Sequence, residues 1–546
     1  MAIADVRYSF VSKVASSCIT RDNEVKQTIT DKIAKIVLHR GLGVPIFVAV
    51  MYLMFIFSIN VGSAFIDFFD ILFGAIFIDG FGELLTSIGT PEWLKTILAD
   101  GIGGGITTVS TFIPPIFFLF LFLAMLEDSG YMARAAFVMD RVMRALGLPG
   151  KAFVPLIVGF GCNVPAIMAT RTMDKATDRI ITIMMAPFMS CGARMPVYVL
   201  FATAFFPTNG QNLVFGIYVI GIIAAIITGF LIKRVVLPGE VSAFVMEIPP
   251  YHIPTVKGVM MRTWDRLKAF LNRAGKVIVV ICAVLGFLNS WGTDGSFGNE
   301  DSEKSVLSEI GYTIAPVLSP MGVTQENWPA AVGVFTGIFA KEAVVGTLNS
   351  LYDQMARDKN AEAAGEGAAA PAEEEADEGW SLGAILSEAG GTIVDNLADL
   401  GSALTDPLGI AVDDLSDTAV AAESQEVTVT TIDMMQKLFG SQLAAFAYLM
   451  LVLLYMPCVA AIAAVYREAG AAWTLFLAAW TTVLGYSTAT IVYRVGTFAQ
   501  DPLYATVAIV ISLGLLASLL VFMRNYVKNN RGKGPKVIPI AVAQPS

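Results

Sequence analysis

Long apolar stretches separated by short polar connections limit most strongly what this chain can fold into. Six of them are long enough to cross about 30 Å of hydrocarbon, and they lie at 44–62, 105–126, 213–232, 277–291, 329–348 and 503–523. Two more, at 180–206 and 473–498, are long enough but contain proline, glycine or arginine. With 55% hydrophobic and only 15% charged residues, the 546-residue chain is too apolar for a water-soluble fold. The sequence therefore predicts an all-α polytopic transmembrane bundle.

The two remaining apolar stretches, at 153–170 and 443–465, each carry a cysteine beside or near a proline. Interrupted helices expose backbone groups that lipid cannot satisfy, so such breaks must face protein or a water-filled cavity. Basic residues concentrate before residue 44, at 134–151, at 233–276 and after residue 523, which favours the cytoplasmic side for these parts. We therefore predict about eight full spans, two re-entrant Cys-Pro segments and cytoplasmic termini. A ten-span alternative, which puts the basic connection outside, ranks second.

This topology divides the chain into six parts. They are a cytoplasmic N-terminal segment at 1–43, a first transmembrane repeat at 44–232 with an interfacial helix at 64–89, a basic cytoplasmic connection at 233–276, a second transmembrane repeat at 277–350 and 435–523, an acidic flexible loop at 351–434, and a basic cytoplasmic tail at 524–546. The polar N-terminus has no apolar core typical of a signal peptide. The net charge of −10 comes largely from the acidic loop, which we interpret as a solvated linker.

The predicted repeat depends on three residue types that recur in the same order in both halves. The set comprises Glu127, Cys162 and Arg171 in the first half and Glu342, Cys458 and Arg467 in the second. The arginine follows the cysteine by nine positions in each copy, and Cys191 then aligns with Ser487. Transporter folds commonly arise by such duplication, with the site at the repeat interface. The copies would be parallel in the eight-span topology and inverted in the ten-span one.

Three of the five cysteines lie at predicted helix interruptions, at Cys162, Cys191 and Cys458. Thiolate ligands favour transition metals over Na⁺, K⁺ or Mg²⁺. A transport site must also release its ion, so two or three thiols with oxygen ligands fit better than a closed four-cysteine cage. The candidate side-chain oxygens are those of Asn163, Ser190 and Ser487. These residues predict a metal pathway, and the alternative for each thiol taken singly is ordinary apolar packing.

Charged residues inside a membrane are costly and are treated as functional candidates. Glu127, Lys341 and Glu342 are therefore candidates for gating or cation relay. For the adjacent Lys341 and Glu342, a mutual salt bridge at a helix end is the alternative. No phosphate-binding glycine-rich loop, metalloprotease histidine pair or Ser-His-Asp arrangement occurs, so we assign no catalytic and no cofactor-binding residue.

Five motifs carry a resemblance to a known family. They are GFGCNVPA at 159–166, MSCGAR at 189–194, MPC at 456–458, LEDSGY at 126–131 and FAKE at 339–342. With these motifs the chain resembles FeoB, the bacterial ferrous iron transporter, over nearly its whole length. The resemblance implies Fe²⁺ uptake as substrate across the bacterial cytoplasmic (inner) membrane, in a multi-pass protein with two Gate segments. It also implies that Cys162, Cys191 and Cys458 handle the ion.

Members of that family usually begin with a cytoplasmic GTPase domain, from which this sequence departs. GTP and Mg²⁺ would then act only through an absent or separate domain, and the chain itself is expected to be a transporter, not an enzyme. The expected partners are membrane lipid, that GTPase domain and small FeoA-like cytoplasmic proteins; a homo-oligomer stays open, and no nucleic acid is expected. Two other functions stay open: a nucleoside or organic-solute transporter, since Gate segments occur in that setting, and a membrane thiol oxidoreductase, which needs cysteines that pair.

Overall fold

The computed structural model describes residues 29–39, 41–207, 210–238, 250–364, 382–398 and 427–529, with a few isolated positions between 10 and 18. These ranges are helical apart from turns and one isolated bridge between Gly292 and Ser305. Seven helices in the described part are long and apolar enough to cross a membrane, or eight if a bent pair counts as one span. The all-α polytopic prediction is confirmed. Of the predicted acidic loop, residues 365–381 and 399–426 lie outside the described residues, as does the end of the predicted tail; the described parts of the loop, at 351–364, 382–398 and 427–434, are almost entirely helical, so the loop prediction is wrong there.

The first half of the chain contains thirteen labelled helices. They are α1 (Ile29–Val37), α2 (Gly43–Ser63), α3 (Ile66–Gly74), α4 (Phe81–Ser87), α5 (Glu92–Lys95), α6 (Gly104–Thr111), α7 (Ile113–Asp128), α8 (Tyr131–Ala145), α9 (Phe153–Gly161), α10 (Asn163–Ala169), α11 (Ala176–Met185), α12 (Met195–Phe205) and α13 (Gly210–Leu231). Wider π-helical turns at Ala75–Gly80 and Thr96–Gly103 join α3 to α4 and α5 to α6.

The second half contains eleven more. They are α14 (Val256–Phe270), α15 (Lys276–Ser290), α16 (Val306–Leu318), α17 (Trp328–Phe339), α18 (Ala343–Ala364), α19 (Leu382–Ala398), α20 (Val429–Phe439), α21 (Gln442–Leu454), α22 (Val459–Ala469), α23 (Ala471–Gly496) and α24 (Pro502–Asn529).

Residues 64–89, expected to form a separate interfacial helix, instead continue the first span, and Gly43–Ser87 forms one helical stretch of 45 residues. Phe69, Phe73 and Phe77 stack along one side of it. Gly103, just before α6, approaches the backbone of Phe77 closely. A Cβ added to Gly103 would lie 2.3 Å from the Phe77 carbonyl oxygen. The apolar side of this segment therefore packs against protein.

Two helical hairpins enter the bundle. The first hairpin is α9 and α10, which pack together and reverse at Cys162; Lys151 Nζ lies 3.1 Å from Asp174 Oδ2 across its two ends. The second hairpin is α17 and α18, which reverse at residues 340–342. Its ends are joined where the Tyr352 hydroxyl donates to Asn327 Oδ1 at 2.6 Å. The segment 153–170 is thus re-entrant as predicted, whereas 329–348, predicted as a full span, turns back as a hairpin.

Two interrupted spans cross the bundle beside the hairpins. The first interrupted span joins α11 and α12 over Ala176–Phe205, and the second joins α21 and α22 over Gln442–Ala469. Each is broken near its middle, at residues 186–194 and 455–458 respectively. The prediction of a second re-entrant segment at 443–465 is therefore wrong. Extended residues such as Tyr455 (φ −69°, ψ 178°) interrupt the helix without reversing its direction.

The two repeats run in opposite directions. Glu127 of α7 pairs with Arg266 of α14. Before α7 in the same helical stretch, Trp93–Asp128, a Cβ on Gly101 would lie 2.9 Å from the Cα of Ala283 in α15, which follows α14. The helices that begin the two repeats are therefore antiparallel, and each repeat continues with a hairpin and an interrupted span. The two hairpins consequently enter from opposite faces, which is the inverted arrangement of the ten-span alternative.

The inverted arrangement changes the residue correspondence between the halves. Cys162, at the reversal of the first hairpin, corresponds to Lys341 and Glu342 at the reversal of the second. Cys191 and Cys458 correspond as the breaks of the two interrupted spans. The predicted pairs of Cys162 with Cys458 and of Cys191 with Ser487 are therefore wrong. The sequence did not reveal this, because hairpins and interrupted spans have similar apolar composition and only their packing tells them apart.

Several lysine and arginine side chains lie at one end of the bundle. We call one end the basic face; it carries Lys151, Arg171, Lys233, Arg262 and Arg467. Ion pairs connect these elements, including Lys233 with Asp178 and Arg262 with Asp128. At the opposite face, the Gln442 side chain donates to the Phe205 carbonyl at 2.8 Å.

Candidate functional site

The three predicted thiols all lie where helices are interrupted. Cys162 is extended (φ −155°, ψ 132°) between α9 and α10, and Cys191 is extended (φ −81°, ψ 160°) in the first interrupted span. Cys458 (φ −55°, ψ 153°) immediately precedes α22. All three are free and partly exposed. The backbone is thus unwound at each of these three thiols, whereas Cys282 lies within the regular helix α15.

The breaks of three elements and the reversal of the second hairpin converge near the middle of the bundle. The Cys162 sulfur is close enough to Cys191, Cys458 and Glu342 for electrostatic interaction, and Cys191 and Cys458 also interact with Lys341. We call this group the central cluster. Within the described ranges, no three His, Cys, Asp or Glu side chains are placed to hold a metal ion together. The thiols are therefore neighbours without a closed coordination shell.

Lys341 is the most deeply buried charge of the central cluster. Its residue is 2% exposed, and Nζ lies 3.1 Å from the centroid of the Tyr455 ring. Among the described residues Nζ has no hydrogen-bond partner, so the alternative of a salt bridge with Glu342 is wrong. A desolvated cation over an aromatic face gains about 2 kcal/mol, which offsets only part of the cost of burying the charge. Glu342 itself is partly exposed.

Arg194 joins the two interrupted spans. Its residue is 1% exposed, and Nη1 donates to the Pro187 carbonyl at 3.2 Å and to the Leu453 carbonyl at 2.9 Å. Both carbonyls lie at helix ends, where backbone oxygens have no helical partner. The guanidinium therefore satisfies two backbone carbonyls that the helix breaks leave without a helical partner.

The predicted oxygen ligands fall into two groups. Asn163 is 4% exposed, follows Cys162 directly, and its Oδ1 has no partner among the described residues. The buried Ser190 hydroxyl shares a hydrogen bond of 2.8 Å with Tyr198. Ser487 instead donates to the Ser512 carbonyl of α24 at 3.4 Å, so its hydroxyl is turned toward the last helix and not toward the thiols.

Glu127 also lies apart from the central cluster. Its side chain is 47% exposed and pairs with Arg266 at 2.5 Å on the basic face. The expected inward gating role of Glu127 is therefore not supported, because its side chain is accessible to water and lies apart from the central cluster. A surface ion pair of this kind also contributes little to folding stability.

Sequence reasoning missed Tyr455, whose ring supports Lys341. It is 2% exposed, and its hydroxyl has no partner among the described residues. A tyrosine inside an apolar stretch resembles a packing residue. The signal that could have identified Tyr455 as part of the site was its position directly before the helix break at Met456-Pro457-Cys458.

Gly485 was predicted to interrupt a span, but α23 runs unbroken from Ala471 to Gly496. Its role is close packing, because a Cβ there would lie 2.8 Å from the Tyr455 backbone nitrogen. We expect Gly485→Ala to lower the thermal midpoint of the purified protein by several degrees, about 1–3 kcal/mol for overpacking. Gly514→Ala in α24, where a Cβ would meet nothing within 4 Å, is the matched control. An equal loss in both variants would contradict this role.

Comparison with known proteins agrees with this architecture. The Gate family, described as nucleoside recognition, matches residues 109–205 and 271–472, and each match contains one hairpin and one interrupted span. The family described as ferrous iron transport protein B C terminus matches residues 214–266. No solved structure matches the chain.

The curated relatives are named Fe(2+) transporter FeoB. That of Legionella pneumophila (strain Lens) is 45% identical over 523 residues, covering 95% of this chain and 66% of the relative. That of Salmonella typhi is 43% identical over 507 residues, covering 93% and 63% respectively. The chain thus spans slightly less than two thirds of the length of these relatives. Its fold and central cluster define a polytopic helical membrane protein built from two inverted Gate repeats. The chain belongs to the FeoB family.

Proposed function

We propose that this chain forms the membrane path of a ferrous iron transporter and carries Fe²⁺ through the central cluster. The observation that carries the proposal is the convergence of Cys162, Cys191 and Cys458 from three separately interrupted elements. The names of the curated relatives support the same ion. Thiolates with a few oxygen ligands bind Fe²⁺ in preference to alkali and alkaline-earth ions, and binding to thiols releases protons.

The inverted hairpins suggest how access alternates. Their reversals lie near the middle of the bundle and they enter from opposite faces, so each hairpin separates the central cluster from one side of the membrane. In transporters built from inverted repeats, the site stays near the midplane while one side or the other opens. The thiols would assemble around the ion only when a hairpin moves, since they do not form a closed shell in this conformation.

Lys341 and Glu342 give the second hairpin its part in gating. When protonated, Lys341 places a positive charge beside the thiols and so opposes a cation at that position, while Glu342 offers a carboxylate ligand. We expect Lys341→Met to raise Fe²⁺ flux into proteoliposomes several-fold, because this electrostatic barrier is removed. Lys437→Met, which removes an exposed charge from α20, should leave flux unchanged. A flux in Lys341→Met equal to that of the unsubstituted protein would show that this charge is not a barrier.

The lysine and arginine residues of the basic face support a cytoplasmic location for it. Gly43 lies beside Val138 at this face, and the last helix packs against Ile232–Val236 there. Both ends of the described chain would then be cytoplasmic in a bacterial inner-membrane protein. A GTPase domain with its GTP and Mg²⁺, and small FeoA-like proteins, would act from this side.

The test is metal flux into proteoliposomes containing the purified protein. Fe²⁺ should enter faster than Mn²⁺ or Zn²⁺, and an excess of uridine should not compete. Because the Gate family is described as nucleoside recognition, uptake of radiolabelled uridine without Fe²⁺ flux would favour the second candidate, a nucleoside transporter. The third, a thiol oxidoreductase, requires cysteines that pair, and Cys162, Cys191 and Cys458 form no disulfide in this structure; a cysteine-dependent shift on non-reducing gels would favour it.

A further inference from the structure

A buried ion cluster closes the basic face below the thiols. Glu468, in the last turn of α22, is 3% exposed. Arg171 Nε donates to its Oε1 at 2.6 Å, and the Arg179 guanidinium donates to its Oε2. The two arginines differ in access to water, since the Arg179 side chain is 8% exposed and that of Arg171 is 39% exposed. Arg171 can therefore leave the carboxylate for solvent, while Arg179 keeps Glu468 paired.

The Arg171–Glu468 pair spans the contact between two short helices that both begin at a thiol. Helix α10 follows Cys162, α22 follows Cys458, and the two helices pack against each other. Arg171 lies just beyond the end of α10, and Glu468 lies next to the end of α22. The thiols thus occupy one end of the α10–α22 contact, and the ion pair joins its other end.

A cavity of about 110 Å³ runs along this contact. It is lined on two sides by Val164 and Met168 of α10 and by Ala460, Ala464, Arg467 and Glu468 at α22, and on the third side by Phe270 of α14 and Val277 of α15. It therefore reaches from the first turn after each thiol to the ion cluster. Two guanidinium groups, of Arg171 and Arg467, line this end of the cavity with one carboxylate, Glu468, so the closed arrangement is an electrostatic barrier to a cation.

We propose that Arg171 and Glu468 form a latch that closes the basic-face end of the path from the thiols. When Arg171 swings into solvent, α10 can separate from α22, and Glu468 Oε1 becomes a hard oxygen ligand for a departing divalent cation. The identity of that cation rests on the proposed function, whereas the latch rests on the geometry of the two helices and the cavity.

The latch is tested by the accessibility of the thiols from the basic face. The full chain, with Cys18, Cys191 and Cys282 replaced by alanine, is placed in inside-out vesicles and treated with a membrane-impermeant methanethiosulfonate reagent. Arg171→Gln should raise the labelling rate of Cys162 and Cys458 by about tenfold, the factor expected for loss of one charge-assisted hydrogen bond. Arg171→Lys keeps one ionic contact with Glu468 and should give an intermediate labelling rate. This variant keeps the test decisive if Arg171→Gln does not fold.

The matched control is Lys151→Gln, which removes the ion pair with Asp174 at the base of the same hairpin but does not touch Glu468. Its labelling rate should equal that of the unsubstituted background. Unchanged labelling in both Arg171 variants overturns the latch, and so does an equal increase in Lys151→Gln, which would indicate general loosening. Increased labelling specific to Arg171, together with no Fe²⁺ flux by the unsubstituted protein, supports the latch and refutes the iron function.

Discussion

Replacing Cys162 or Cys458 with serine is expected to reduce Fe²⁺ flux into proteoliposomes by at least about tenfold, equivalent to roughly 1.4 kcal/mol or more of lost stabilisation of the bound ion. Serine has nearly the same shape, but its hydroxyl is a poor substitute for thiolate toward a transition metal. Because both residues lie in unwound, partly exposed backbone, neither exchange removes a large packing contact. The folded protein should therefore be recovered in normal yield, and the loss should appear in the initial rate of radiolabelled Fe²⁺ uptake.

Cys282→Ser is the matched control for these exchanges. Cys282 lies in α15, where its Cβ would be 3.1 Å from a Cβ on Gly105, and it belongs to no interruption. Its variant should transport Fe²⁺ at the rate of the unsubstituted protein. If Cys162→Ser and Cys458→Ser both kept that rate as well, the thiols would not be ligands and the path would have to run elsewhere.

Removing the Arg194 guanidinium is expected to have the largest effect on stability. In Arg194→Leu, the Pro187 and Leu453 carbonyls lose their donor in a buried place, at a cost of about 1–3 kcal/mol for each unsatisfied group. The loss of folded protein should be visible as a lower thermal midpoint and as aggregation in size-exclusion chromatography. Arg194→Lys retains a charge that can reach one carbonyl, so we expect an intermediate midpoint.

The control for Arg194 is Arg524→Leu, which changes an exposed arginine near the end of α24. It should shift the midpoint little, since exposed substitutions usually change stability by less than about 0.5 kcal/mol. A normal midpoint for Arg194→Leu would mean that water replaces the guanidinium between the two interrupted spans, and that Arg194 does not hold them together.

Residue type and hydropathy alone were sufficient for several features. The apolar windows located the spans around α2, α7, α13 and α24, because a bilayer demands about twenty apolar residues regardless of what surrounds them. Proline and glycine located the breaks at Cys162, Cys191 and Cys458, because these residues end a helix through their own backbone chemistry. The sequence also singled out Lys341 and Glu342, since charges are rare in apolar segments.

Hydropathy could not tell a hairpin from a crossing helix. Residues 329–348 and 443–465 are similarly apolar, yet the first reverses at residues 340–342 and the second crosses. The difference depends on contacts between distant residues, such as Tyr352 with Asn327 and Arg194 with Leu453. The direction of the repeats, and with it the true correspondence of Cys162, followed from the same contacts.

The sequence by itself determined that this chain is a helical membrane protein with thiols at helix breaks, because those properties arise from residues within a few positions of one another. Only the tertiary structure decided that the breaks meet at one centre, that Lys341 rests on Tyr455 and not on Glu342, and that Glu468 pairs with Arg171 and Arg179. Each of these depends on elements far apart in the chain being brought together by packing, and a pattern read along one segment contains no information about its distant partner.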